Sequence, residues 1–83
     1  MEIEEIKSKL LPIISNYIPD GIDKENLTPE MDLIKDLQIN SAYIVDIVIE
    51  IEETFDMTID DDAVVNINTI QEAIDIIAQA KQG

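Results

Sequence analysis

The spacing of apolar residues predicts an amphipathic helix at the start of the chain. From Ile3 onward, apolar residues recur at helical intervals as far as Ile18. Pro12 interrupts this stretch, and proline inside a helix removes one backbone hydrogen bond. We therefore expect either a kinked helix or two short helices with Pro12 in the first turn of the second. Residues 19–21, Pro-Asp-Gly, predict the end of the helix and a turn.

Residues 19–40 carry aliphatic residues without a sustained period, which is typical of a long loop. We expect those aliphatic side chains to hold the loop against the core; they are Ile22, Leu27, Leu33, Ile34, Leu37 and Ile39. Thr28-Pro29 favours one short helical turn within the loop. A loop of this length in a small domain is often functional.

Residues 41–55 fit two patterns. Their apolar positions follow the helical template i, i+3, i+4, i+7 as far as Phe55, but the part from Val45 to Ile51 also nearly alternates with acidic residues. The β-branched content leans towards a strand. The length of the segment, a cap at Asn40 or Ser41 and the continuation to Phe55 favour a helix.

Two aliphatic residues of this predicted helix do not belong to its buried face. Val45 and Ile49 lie one turn apart and are surrounded by acidic residues. They either form an exposed ridge that binds a partner or pack beneath the long loop, and the pattern favours both interpretations equally.

The last third of the chain predicts one short helix and one longer helix. Residues 60–65 begin with three aspartates, which are favourable at a helix N-terminus or at a loose surface cation site. The ligand spacing of a calcium-binding loop is missing, so no specific metal site is predicted. Thr69-Ile70-Gln71-Glu72 has the pattern of a capping box. The helix that it opens ends near Ala80, and its predicted buried face is Ile70, Ala73, Ile74, Ile77 and Ala78.

Together these elements predict that residues 1–83 form a single all-α domain. Its architecture is a small four-helix bundle, with three longer helices, one short helix and a long loop between the first and second helices. At 83 residues and 46% hydrophobic content, the chain can form one core and has no room for a second domain.

Charge and composition narrow the classes of function. The net charge is −14, and residues 36–80 contain no lysine or arginine, which disfavours binding to nucleic acid and to membrane surfaces. The acidic excess indicates either a highly charged soluble surface or a docking face for basic partners. Histidine and cysteine are absent, which excludes the usual zinc sites and nucleophilic triads, so we expect a protein that is not an enzyme. The N-terminal residues lack the basic stretch and apolar run of a signal peptide, which favours the cytoplasm.

Ser41 is the most informative candidate for chemistry, because it lies where the long loop meets the central helix. A hydroxyl at that place could bear a phosphodiester, beside backbone N–H groups and the positive end of a helix dipole. A serine at a helix start is, however, usually an N-cap.

The sequence resembles the acyl carrier proteins over essentially its whole length, strongly from residue 32 onward. The residues that carry the resemblance are Asp36-Leu37, Asn40-Ser41, Ile47-Val48, Glu52-Glu53-x-Phe55, Ile59, Asp60-Asp61-Asp62 and Thr69-Ile70-Gln71-Glu72-Ala73-Ile74. The resemblance implies that residues 41–55 form a helix.

For Ser41, the resemblance implies covalent attachment of 4′-phosphopantetheine from coenzyme A by a magnesium-dependent phosphopantetheinyl transferase. The arm would supply the thiol that the chain lacks and carry acyl groups as thioesters. A monomeric, cytoplasmic carrier would then deliver these groups to loading, condensing and acyl-transfer enzymes of fatty-acid, polyketide or related biosynthesis. The helices would shelter the acyl chain between them.

The resemblance also implies which residues meet partner enzymes. Asp46, Glu52 and Glu53 align with the acidic positions of the family's recognition helix, which face basic patches on partners. Val45 and Ile49 align with its exposed apolar contacts. Electrostatic steering of this kind speeds encounter, as a shuttle requires.

Three residues around Ser41 depart from the family pattern. Asn40 replaces the usual Asp, Ala42 the usual Leu, and Tyr43 a residue that is commonly polar or acidic. Asn40 and Ala42 are therefore expected to alter partner choice, which favours a specialised carrier over neutral drift. An amino-acyl or peptidyl carrier and an unmodified acidic adaptor protein remain the alternative functions.

Overall fold

Four helices make up the fold of the computed structural model, which describes residues 2–81. The predicted domain 1–83 also includes Met1, Gln82 and Gly83, which lie outside the described residues. The helices are α1 (Ile3–Ser15), α2 (Ile44–Phe55), α3 (Asp61–Val64) and α4 (Ile70–Ala80), and a 3₁₀ helix (Ser41–Tyr43) directly precedes α2. No strand is present between residues 2 and 81, so the all-α prediction is confirmed, as is the long loop between the first two long helices.

The first helix is continuous, with Pro12 inside it. The alternative of two short helices is therefore wrong. The helix also ends at Ser15, earlier than the apolar spacing predicted, because the chain tightens into successive i→i+3 turns. In these turns the N–H of Tyr17 donates to the carbonyl of Ile14 at 3.0 Å, and the N–H of Ile18 donates to that of Ser15 at 3.3 Å.

Helix α1 packs against both α2 and α4, and their apolar faces form a mainly aliphatic core. None of the described polar or charged residues is buried. The largest fully buried side chains are Ile6, Leu10, Ile14, Leu33, Leu37, Ile39, Ile51, Ile70, Ile74 and Ile77. Because three of these come from the long loop, the loop is part of the core rather than a loose connection.

Asp32 organises the second half of that loop into a turn that the sequence did not predict. Its Oδ1 accepts hydrogen bonds from the N–H groups of Ile34 and Lys35, both at 2.8 Å. These bonds, together with the charge of Lys35, hold the pKa of Asp32 below its usual value, against the opposing effect of desolvation. The turn buries Leu33 and directs Ile34 outward, where it is 40% exposed, so the prediction that Ile34 anchors the loop is wrong.

The loop is hydrogen-bonded to the start of α4. Asp32 and Thr69 form an isolated antiparallel bridge, and the N–H of Leu33 donates to the carbonyl of Asn68 at 2.8 Å. The predicted capping box is confirmed: Thr69 Oγ1 accepts from the N–H of Glu72 at 3.1 Å, and Glu72 Oε1 accepts from the N–H of Thr69 at 3.0 Å. The N-terminus of α4 is thus the fixed point against which the loop is positioned.

The C-terminal end of α4 is tied to the end of α2. Lys81 Nζ donates a hydrogen bond to the carbonyl of Asp56 at 3.1 Å. Asp56 has a left-handed backbone with φ 51° and caps the C-terminus of α2. The ammonium group of Lys81 therefore interacts favourably with the C-terminal end of α2 as well as with that of α4. Within the described part of the chain, the helices are too short and too polar to cross a bilayer.

Candidate functional site

Ser41 is the first residue of the 3₁₀ helix, and it is exposed to solvent. The cap of this helix is Asn40, whose Oδ1 accepts the N–H of Ala42 at 2.9 Å. The sequence left the cap open between Asn40 and Ser41, and the structure assigns it to Asn40. The hydroxyl of Ser41 is consequently not required for capping, and it lies on a turn whose conformation another residue fixes.

The backbone N–H groups that follow Ser41 are already bonded. Asn40 receives the N–H of Ala42 on its side chain and that of Tyr43 on its carbonyl, each at 2.9 Å. These donors are therefore less available to a phosphate than the sequence suggested. The site offers an accessible primary hydroxyl just ahead of the positive end of α2, which suits formation of a phosphate ester.

Two tyrosine rings pack against each other next to the turn that contains Ser41. The rings of Tyr17 and Tyr43 have centroids 5.6 Å apart and planes inclined at 46°. Such tilted pairs add to stability beyond the area that they bury. Tyr17 follows α1 and Tyr43 ends the 3₁₀ helix, so the pair connects the end of α1 to the neighbourhood of Ser41. Neither the spacing of the two residues nor their surroundings in the sequence predicted this contact.

Tyr17 also lies close to acidic groups of α2. Partial burial raises the pKa of its phenol, and the carboxylates of Glu50 and Asp46 raise this pKa further. Oε2 of Glu50 is buried and accepts no hydrogen bond within residues 2–81.

The sequence left open whether Val45 and Ile49 of α2 are exposed or packed beneath the long loop. Both are exposed to solvent. Val45 is 58% exposed and Ile49 is 45% exposed, so neither packs beneath the long loop. Asp46 and Glu53 are exposed as well. Since these four residues follow helical spacing, they share one side of α2. The structure thus brings together most of the predicted recognition residues on one surface.

Glu52 differs from the other predicted recognition residues. It is half-buried, and its Oε2 accepts the backbone N–H of Ile59 at 2.8 Å. This bond holds the segment between α2 and α3 against α2. One of the two carboxylate oxygens of Glu52 therefore makes a structural hydrogen bond. The sequence pattern did not indicate this role.

A groove of about 210 Å³ separates α2 from α3. Its walls combine the aliphatic residues Val45, Ile49 and Val64 with the carboxylates of Glu52 and Asp61. Val65, which caps the C-terminus of α3, is 77% exposed. The sequence reasoning missed Val64 and Val65, although two consecutive valines at the end of a very acidic helix were a usable signal.

One cavity among the described residues is lined mainly by aliphatic side chains and is small. It lies between α1, the long loop and α4, measures about 40 Å³ and includes Leu11, Leu27 and Ile74 in its lining. That volume accommodates only a few water molecules. Shelter for a cargo between the helices remains a prediction, and it requires the helices to separate.

Acidic residues of the described chain are not clustered as metal ligands. Between residues 2 and 81, no group of three or more acidic side chains is placed so that it could hold an ion. Asp61 and Asp62 instead occupy the first turn of α3, where a carboxylate interacts favourably with the helix dipole.

Comparisons with known proteins agree with this geometry. A family model described as "Phosphopantetheine attachment site" matches residues 20–77. The acyl carrier protein of Syntrophobacter fumaroxidans is 35% identical over 81 residues, which cover 98% of each chain. That of Guillardia theta is 38% identical over 79 residues, or 95% of each chain. The solved acyl carrier protein of Enterococcus faecalis superposes with a TM-score of 0.80 at 30% identity, covering 98% of this chain and all of that one.

The matched segment includes the long loop, the turn with Ser41, and the helices that follow. In acyl carrier proteins this domain is the site of covalent 4′-phosphopantetheine attachment. From its sequence, its fold and an accessible serine at the start of the central helical segment, the chain belongs to the acyl carrier protein family.

Proposed function

We propose that Ser41 carries 4′-phosphopantetheine and that the protein transports acyl groups as thioesters on this arm. The observation that carries the proposal is the exposed hydroxyl of Ser41 on a turn capped by Asn40, within the segment matched by the family model. A carrier of this kind catalyses nothing by itself. The arm supplies the thiol chemistry, and the chain supplies attachment and presentation.

Attachment requires one displacement at phosphorus. The Ser41 oxygen forms a bond to the phosphorus that bears the pantetheine group of coenzyme A, and the phosphoanhydride bond breaks. Adenosine 3′,5′-bisphosphate leaves, and the hydroxyl proton passes to a base of the transferase. We assign that base, together with magnesium, to the transferase, because the chain has no histidine.

The exposed side of α2 supports docking to basic partner enzymes. Val45 and Ile49 provide apolar contact area, and Asp46 and Glu53 provide charges that remain in solvent. With a net charge of −14, the whole chain attracts cationic surfaces over long distances, which accelerates encounter. We propose that the protein acts as a monomer in the cytoplasm and serves the transferase and the acyl-loading, condensing and acyl-transfer enzymes of fatty-acid, polyketide or related biosynthesis.

Intact-mass measurement after incubation with coenzyme A, magnesium and a broad-specificity transferase tests the attachment. The wild-type chain should gain one phosphopantetheine group, and Ser41→Ala should gain none. Ser8→Ala is the matched control, because Ser8 is also exposed and should leave the modification unchanged. An unmodified wild-type chain, or a Ser41→Ala chain modified equally well, would contradict the proposal.

An unmodified acidic adaptor is the second candidate, because the exposed side of α2 needs no arm to bind a basic partner. The adaptor predicts that Ser41→Ala keeps its biological function, whereas charge reversal at Asp46 and Glu53 abolishes it. The carrier predicts that Ser41→Ala loses that function completely. Identifying the native thioester cargo then distinguishes acyl carriage from amino-acyl or peptidyl carriage.

A further inference from the structure

A second groove shares no lining residue with the α2–α3 groove. It measures about 470 Å³, within the range of about 300–1,000 Å³ that is usual for ligand pockets. We call it the tyrosine groove; the residues that line it include Asn16, Tyr17, Pro19, Gln38, Asn40 and Tyr43. It runs between the chain that follows α1 and the end of the long loop.

We propose that the tyrosine groove binds the uncharged, amide-bearing part of the phosphopantetheine arm of the same chain. This inference rests on the proposed modification of Ser41. It identifies a binding site for the arm on the surface of the same chain, which neither the fold nor the attachment chemistry requires.

The charge of the groove fits such an occupant. Its lining residues are all uncharged, although the chain as a whole has a net charge of −14 and the carboxylates of Glu50 and Asp46 on α2 act on Tyr17. The phenol of Tyr17 is neutral at physiological pH, as an ordinary phenol is. The α2–α3 groove, by contrast, includes the carboxylates of Glu52 and Asp61. Two of the neutral groups, Asn40 and Tyr43, occur at positions where this chain departs from the family pattern.

The polar groups of the groove match the amides of the arm. Asn16, Gln38 and Asn40 each carry a primary amide that can both donate and accept hydrogen bonds. Asn40 uses Oδ1 for the cap, and the cap does not involve its amino group. Gln38 has φ 57°, a left-handed conformation that is uncommon for residues other than glycine. Between these amides, the rings of Tyr17 and Tyr43 can pack against the methyl and methylene groups of the arm.

The groove is also next to the attachment point. Asn40 and Tyr43 belong to it, and they lie one residue before and two residues after Ser41, with successive Cα atoms about 3.8 Å apart. Short flexible linkage gives an effective concentration on the order of millimolar. Weak contacts are therefore sufficient to keep the arm in the groove, and a partner enzyme can still withdraw it.

The two tyrosines make the groove easy to observe, because they are the only tyrosines of the chain and both line it. The test compares the unmodified chain with the modified chain, after its intact mass has confirmed the added arm. In the modified wild-type protein, nuclear Overhauser contacts should join the geminal methyl groups of the arm to the tyrosine ring protons. Amide shifts should change in residues 16–18 as well as in residues 38–43, and the change in residues 16–18 is the diagnostic one because those residues are distant in sequence from the modified Ser41.

A variant provides a second readout. Tyr43→Ala should remove these contacts and raise the rate at which the arm's thiol reacts with a disulfide reagent several-fold. Ile3→Ala is the matched control, because Ile3 is 43% exposed at the start of α1 and does not line the groove, and it should leave that rate unchanged. A thermal scan of each variant verifies that it is folded, and the contacts in the wild-type protein test the proposal without any substitution.

The experiment distinguishes failure of the tyrosine-groove proposal from failure of the carrier proposal. Contacts of the arm to Ile49 and Val64, or no contacts to the chain at all, overturn the tyrosine groove and leave the carrier function intact. A chain whose mass shows no added arm overturns both proposals together.

Discussion

Glu52 of α2 accepts the backbone N–H of Ile59 at 2.8 Å, so one carboxylate connects the central helix to the segment that leads into α3. Glu52 also lines the α2–α3 groove. The same side chain therefore shapes the surface on which we expect partners to dock.

Removing this carboxylate should destabilise the fold. Glu52→Ala leaves the N–H of Ile59, which is itself buried, without its acceptor. Hydrogen bonds to charged groups contribute about 1.5–3 kcal/mol, and since Glu52 is only half-buried we expect a loss of about 1–2 kcal/mol in the free energy of unfolding. Urea denaturation measures this change in the free energy of unfolding. Glu53→Ala is the control, with an expected change below about 0.5 kcal/mol; equal effects of the two substitutions would contradict a structural role for Glu52.

Asn40→Ala should loosen the turn that presents Ser41. Loss of the side-chain cap costs about 1 kcal/mol, which for a domain of this size lowers the melting temperature by about 4–8 °C. Asn40→Asp keeps an acceptor oxygen and should restore most of the loss. Calorimetry provides the measurement. A melting temperature unchanged in Asn40→Ala would show that the 3₁₀ helix does not depend on this cap.

Charge reversal on α2 should slow docking. Asp46→Lys and Glu53→Lys each remove an exposed negative charge and add a positive one, so the association rate with a basic transferase should fall several-fold and become less dependent on salt. Stopped-flow mixing at two ionic strengths measures this. Glu30→Lys makes the same change in net charge on the long loop. An equal effect of Glu30→Lys would mean that only the net charge matters.

Salt should stabilise the protein. Residues 36–80 contain only acidic charges, and screening weakens their mutual repulsion. The melting temperature is therefore expected to rise as sodium chloride increases from low concentration to about 0.15 M, where the Debye length is about 8 Å. Divalent cations should raise it as well. Thermal scans that show no response to either addition would contradict the importance of this repulsion.

Alkaline pH should weaken the fold through Tyr17. In the folded state the pKa of the Tyr17 phenol is raised above the ordinary value of about 10. The protonated phenol therefore makes its full contribution to the free energy of unfolding below that value, and this contribution is lost as pH rises through the folded-state pKa. Urea denaturation across this range measures the loss. Tyr17→Phe should remove this loss. The same pH dependence in both proteins would show that the phenol of Tyr17 is not perturbed.

Several features of the fold follow from short stretches of the chain. The capping box from Thr69 to Glu72 and the buried face of α4 were predictable, because both depend on residues within a few positions of each other. The position of Ser41 where the loop meets the central helical segment was predictable for the same reason, and a serine at that place was expected to present its hydroxyl to solvent.

Other features depend on contacts between distant elements. The pairing of Tyr17 with Tyr43, the commitment of Glu52 to Ile59 and the outward direction of Ile34 arise only when the loop and helices pack together. A periodic pattern specifies which face of one helix is apolar, but not which neighbour that face meets or which side remains in solvent. Val45 and Ile49 illustrate the division: their spacing along the chain defined a ridge, and only the packing of the loop away from it left that ridge exposed.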